Sequence, residues 1–166
     1  MSKSDHSEKE EARADREKFV GQWEKGLRIR HIAHSLCYAR YNGLNRIVGL
    51  SSTVLAALVS TAVIVSLKSG DGTDKAFAGG FSVLATLFAA ANSFLKLGEL
   101  AEKHARAVAG FGDLRRQLEL SEGWEKEVDK GFLEKLITQW GNLEKISPAI
   151  PNNIYEKAMK MANTPA

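Results

Sequence analysis

A single cysteine, Cys37, excludes an internal disulfide and any paired-cysteine metal knuckle. Proline is nearly as scarce: none occurs before Pro148, so no such breaker interrupts a helix in the long stretch ahead of it. Also missing are a nucleophile with its base, a phosphate-cradling glycine loop and paired catalytic carboxylates. The "AGG" at 78–80 lies inside an apolar run and is no P-loop, so an enzyme is not expected. The net charge of +3 is small and its Lys and Arg are mixed with Asp and Glu, which argues against a nucleic-acid partner. The first eighteen residues, "MSKSDHSEKEEARADREK", carry dense charge and no apolar core, so no cleavable signal peptide is expected there. The most telling absence is of charge itself. Residues 47–67 and 76–95 contain no Asp, Glu, Lys or Arg, whereas 1–46 and 96–166 are rich in them.

As helices, Ile47–Leu67 would be about 31 Å long and Ala76–Leu95 about 30 Å. The hydrocarbon core of a bilayer is about 30 Å thick, so each run just spans it. A core helix of a soluble protein keeps a polar face toward water; neither run has a charged one. Two transmembrane helices are therefore expected, 47–67 and 76–95. The segment between them, "KSGDGTDK" at 68–75, has room only for a tight hairpin turn. Both chain ends then lie on one side. Arg28, Arg30, Arg40 and Arg46 precede the first run without an intervening acid, and Lys96, Lys103, Arg106, Arg115 and Arg116 follow the second. The turn offers only Lys68 and Lys75, so the positive-inside rule places both termini in the cytoplasm. Arg28, Arg30, Arg40 and Arg46, just inside the membrane, are candidates for binding anionic headgroups.

Neither run is uniformly greasy. On a helical wheel Phe77, Phe81, Leu84, Phe88, Ala91 and Leu95 share one face of the second, and Gly79, Ser82, Thr86, Ala89, Ala90 and Ser93 share another. The first has a looser small-residue face of Gly49, Ser52, Thr53, Ala56 and Ser60. Small residues let helices approach closely in lipid, and hydroxyls can bond across the contact. Ser52, Thr53, Ala56, Ser60, Gly79, Ser82, Thr86, Ala90, Asn92 and Ser93 are therefore candidates either for plain helix packing or for lining a water path in an assembly. Asn92, the most polar of them, fits an interhelical hydrogen bond or the lining. Glu99 and Glu102, just beyond the second run, either pair with the basic flank of the first helix or form the cytoplasmic mouth of a pore.

Helical periodicity continues outside the two runs. Phe19, Trp23, Leu27, His34, Tyr38 and Tyr41 predict a helix over 19–46, and Leu97, Leu100, His104, Val108, Phe111, Leu114 and Leu118 one over 96–120. The simplest geometry runs both spanning helices straight on into the cytoplasm, where these stripes zip as an antiparallel pair. "SEGW" at 121–124 breaks the second. Val128, Phe132, Leu136, Trp140 and Leu143 predict a helix over 124–146, and "NNIYEKAMKMA" a short one over 152–162 with an Asn cap. The fold class expected is all-α: a two-transmembrane hairpin extended into the cytoplasm, plus one or two C-terminal cytoplasmic helices. His31 and His34 stand three apart, a metal-capable spacing that His104 would complete if the helices zip. With Arg28 and Arg30 beside them a structural role is favoured, and neither metal nor cofactor is expected. Cys37 reads as a packed thiol.

The order of these pieces is distinctive. A long helix carries Trp23, "RIRHIAH" and "YARYNGLN"; the hairpin follows, then "LAEKHARAVAGFGDLRRQLEL" at 100–120, and "PAIP" ahead of Tyr155 and Ala158. This pattern resembles the SLATT family of small two-transmembrane bacterial proteins over roughly residues 19–160, as one domain, with the charged tail 1–18 outside it. The resemblance rests on order and spacing rather than on a chemical motif. It implies an effector of bacterial conflict systems linked to nucleotide second messengers, which oligomerises in the inner membrane and permeabilises it, killing an infected cell as an antiphage defence. It also implies a homo-oligomer in the lipid bilayer whose signal comes from a separate nucleotide sensor or other defence-system protein. The competing reading is a membrane-anchored scaffold, in which the hairpin only tethers helices that bind a cytoplasmic partner.

Overall fold

A computed structural model of the chain describes the backbone of residues 3–69, 72–123 and 130–164. The described residues form five helices and no strand: α1 (Lys3–Ser69), α2 (Gly72–Leu95), α3 (Leu97–Gly123), α4 (Lys130–Ile146) and α5 (Asn152–Asn163). The all-α class is thus observed. α1 takes in most of the charged tail, the first basic flank and the first apolar run without a break, as the want of proline allows. Several of the predicted ends shift: helix is observed through Ser69 and again from Gly72, inside the turn expected over 68–75, and α3 continues through the "SEG" expected to break it. Val128, placed above in the fourth helix, lies outside the described residues. Pro151, not Asn, occupies the cap position of α5; its carbonyl accepts from Ile154 and Tyr155 N–H at 3.0 Å, and the Asn153 side-chain oxygen also accepts from Ile154 N–H at 3.0 Å.

Contacts divide the chain into two compact units, one made of 1–37 with 103–166 and the other of 38–102. The first unit has two small cores. In one, Val20 and Leu27 of α1 pack with Ala107, Phe111, Leu114 and Leu118 of α3 and Leu136 of α4, flanked by Trp23, Phe132, Trp140 and Leu143. In the other, Ile29 and Ala33 of α1 meet Ala158 and Ala162 of α5. The α1 and α3 stripes therefore do zip: Leu27, His34, His104, Phe111, Leu114 and Leu118 are buried as read and Trp23 packs on the core, whereas two α1 positions of the wheel reading face outward. Val20 is buried while its neighbour Phe19 is 47% exposed, and Tyr38 is 40% exposed. The buried α1 positions 20, 27 and 34, with Trp23, Arg30 and Cys37 between them, repeat in alternating threes and fours as in a coiled-coil seam.

Two glycines are contact points in this unit. A Cβ on Gly26 would stand 2.9 Å from the Trp140 ring, and one on Gly110 would stand 2.8 Å from Leu143. Both let α4 close on its neighbours. Trp140 is held further by its indole N–H, which donates to Glu144 at 2.8 Å, and by the Arg30 guanidinium 5.0 Å over its ring.

The second unit contains the hairpin. Along α1 from residue 48 the less exposed residues are Val48, Gly49, Ser51, Ser52, Leu55, Val59 and Ala62, and along α2 they include Phe81, Ser82 and Ala85; the three-and-four spacing of Val48, Ser52, Leu55, Val59 and Ala62 marks the face of α1 that meets α2. The expectation of a straight run from the second span into the next helix fails at Lys96. Its φ is 42°, in the left-handed region, and it ends α2 and starts α3 in a single residue. Two gains on its C-terminal side offset the strain: Leu97 is buried, and Gly98 closes on Asn45, whose side-chain oxygen would lie 3.4 Å from a Cβ there.

Candidate functional site

Two helical stretches are long and apolar enough to cross a membrane, one within Lys18–Val65 and the other within Gly79–Ser121. In their most apolar windows 0% and 6% of the residues are buried. Val54, Leu58, Ile64, Phe77, Val83 and Leu87 are among the large side chains left open. A soluble core helix has the opposite property, because burial is what makes its apolar side chains favourable in water.

Of the small residues singled out above, Ser52 and Ser82 are half-buried in the helix contact, whereas Thr53, Ala56, Ser60, Gly79, Thr86, Ala90 and Ser93 are exposed. The hairpin thus closes through only part of the small-residue set. The side chain of Asn92 lies outside the described residues. The hydroxyls do not wait for a partner. Ser52, Thr53, Ser60 and Thr86 donate to the carbonyls of Val48, Gly49, Ala56 and Ser82 one turn earlier, at 2.9, 3.1, 2.9 and 2.8 Å. Such bonds satisfy a hydroxyl in an apolar medium without a second helix.

The charged candidates separate in the same way. Glu99 pairs with Lys96 on its own turn at 3.6 Å, a local exposed contact, rather than with the flank of the first helix. Glu102 is exposed. Arg40 and Arg46 are exposed, Arg28 is half-buried, and Arg30 is engaged inside the first unit, its Nε 2.5 Å from Glu144. The Arg30–Glu144 pair was not legible in the sequence, since the two residues lie far apart along it and neither belongs to a motif.

Sequence spacing did suggest that His34 and His104 would face each other. Their Nδ1 atoms stand 2.8 Å apart, both rings are buried, and His34 stacks on Phe111 with centroids 5.4 Å apart and planes 12° from parallel. Burial pushes His34 down to about 4, with the His104 and Arg30 charges acting in the same direction, and burial also lowers His104. His31 does not join them. It borders a surface hollow with Gly112 and Arg115, and burial first, then Arg115, lowers it. Among the described residues no group of three or more His, Cys, Asp or Glu is arranged to hold a metal ion. No family model, curated protein or solved structure matches the chain, so what stands is an all-α protein with two helices fit in length and composition to cross a membrane.

Proposed function

We propose that residues 38–102 form a hairpin that lies in the bacterial inner membrane with both chain termini in the cytoplasm, and that copies of the chain assemble there and permeabilise the bilayer. The observation that carries this reading is the pair of apolar windows that the chain leaves uncovered. At about 25 cal/mol per Å² of apolar surface, such windows are strongly unfavourable in water and favourable in lipid. Thr53 and Ser60 on α1, and Gly79, Thr86, Ala90 and Ser93 on α2, are small and exposed, and exposed small residues are what the close approach of another helix requires. The SLATT resemblance gives the reading its conflict-system setting, with the trigger arriving from a separate nucleotide sensor or other defence-system protein.

Induced expression in bacteria should collapse membrane potential, read with a potential-sensitive dye, and purified protein should release dye from liposomes. Replacing Thr53, Ser60 and Thr86 together by Leu should abolish leakage while the chain stays in the membrane fraction, because these side chains point away from the hairpin contact. A specific observation favours a second reading, a membrane-anchored scaffold. The hydroxyls are already bonded to their own helices and the first unit has cores of its own. Full dye retention with unimpaired growth at high expression would decide for the scaffold.

A further inference from the structure

The first unit contains one polar contact that packing alone does not call for. His34 of α1 and His104 of α3 are 2% and 0% exposed, and their Nδ1 atoms meet at 2.8 Å in the seam between the helices. Phe111 lies flat against His34 and fixes the plane of its ring. At that distance only one proton fits between the two nitrogens. One ring must be the Nδ1–H tautomer and donate, and the other must carry its proton on Nε2 and accept. A first added proton, on Nε2 of the donor ring, leaves the bond in place but puts a full charge into the seam. A second, on Nδ1 of the acceptor ring, sets two N–H groups and two cations against each other.

We propose that His34 and His104 form a proton-operated latch that holds α1 against α3 while the pair is neutral and lets the seam open when acid charges it. The groups that face His34 give it little help in carrying charge. On α1, Arg30 lies one turn before His34, and Cys37, one turn after it, is buried. From α4 Glu144 faces the same hollow as His34, but its carboxylate is taken by the Arg30 guanidinium and the Trp140 indole. From α5 the phenol of Tyr155 lines that hollow. The lowered proton affinity of both rings agrees with this setting. The inference concerns the first unit and does not depend on the pore-forming reading of the hairpin.

Cys37 provides the reporter. The full-length chain in detergent micelles would be labelled with 4,4′-dithiodipyridine from pH 7.5 to 4.5, with each rate divided by that of a cysteine peptide at the same pH. The normalised rate is expected to rise at least about tenfold as the pH falls. In the His34→Gln/His104→Gln variant it should no longer depend on pH, whether slow or fast. A flat wild-type rate, or the same rise in the variant, overturns the latch. Nitrogen-15 spectra of histidine-labelled wild-type protein supply a second measurement that needs no variant. At neutral pH they should show one Nδ1–H and one Nε2–H tautomer with both rings titrating well below the ordinary histidine range. Two identical tautomers, or ordinary titration of either ring, would also overturn it.

Discussion

Gly26 shows how a single atom decides the sign of a substitution. In an exposed helix, Gly to Ala is stabilising by about 1 kcal/mol through backbone entropy. Here the new methyl would stand 2.9 Å from Trp140, a rigid ring held by Glu144 and Arg30. Gly26→Ala should therefore cost about 1–3 kcal/mol, as overpacking does. Thermal unfolding followed by circular dichroism should give a lower midpoint, and Trp140→Phe in the same background should restore part of it. Phe111→Ala removes both a core side chain and the platform under His34, for a loss of roughly 3–5 kcal/mol in the same measurement.

The histidine pair makes a stability claim whose direction can be derived. Both folded-state affinities are lowered, so below about pH 6.5, and for His34 down to about 4, the unfolded chain binds more protons than the folded one. The contribution of the pair is complete above that window and is lost as the pH falls through it. Midpoints measured from pH 7.5 to 4.5 should drop, and the His34→Gln/His104→Gln variant should flatten that dependence. Acidic side chains elsewhere add their own slope, so the difference between the two curves is the quantity to compare.

Among the elements, the helices were the most legible part. The charge-free runs at 47–67 and 76–95 fall within helices that end at Ser69 and Leu95, and the α1 and α3 stripes announced a zipped pair bringing His104 to His31 and His34, of which His34 meets it. The wheel went astray where α1 serves two neighbours. Val20 and Leu27 turn toward α3 and α4, while Ile29 and Ala33 turn toward α5. A helix buried on two sides lacks the strong contrast between faces that fixes a register by eye. That is how Phe19 and Tyr38 came to be placed in the stripe. The joint at Lys96 was invisible for another reason. Left-handed residues are usually glycine or asparagine, and neither occupies 96. Lys96→Gly should relieve the conformational cost and raise stability by about 0.5–1 kcal/mol, seen as a midpoint increase of a few degrees. A drop would mean that the Lys96–Glu99 pair matters more than the backbone.

For the whole molecule, the membrane proposal rests on a property that composition averages hide. The mean hydropathy of the chain is slightly negative, yet its two most apolar windows are left almost wholly uncovered. On that reading the protein should stay with vesicles through alkaline carbonate washing, and a cysteine placed in the 68–75 segment should react with an impermeant label from outside intact spheroplasts. Release by carbonate would remove the proposal. The candidate site was less legible than the fold. The wheel put small residues together on one face, but it could not tell which of them turn into the helix contact, as Ser52 and Ser82 do, and which turn out, as Thr53, Ser60 and Thr86 do. That choice depends on the crossing of two helices, which no single-helix projection contains.

The unit built from 1–37 and 103–166 is interrupted in the chain by the whole of 38–102. During translation, Val20 and Leu27 emerge well before Phe111, Leu114 and Leu118 exist to cover them. At roughly 5–20 residues per second the ribosome needs several seconds to reach their partners. In that interval both apolar runs have been made, so the first core can close only after residues 38–102 have been synthesised. The order of folding is thereby constrained by the chain's own layout, the residues of the second unit being complete before the first unit can be.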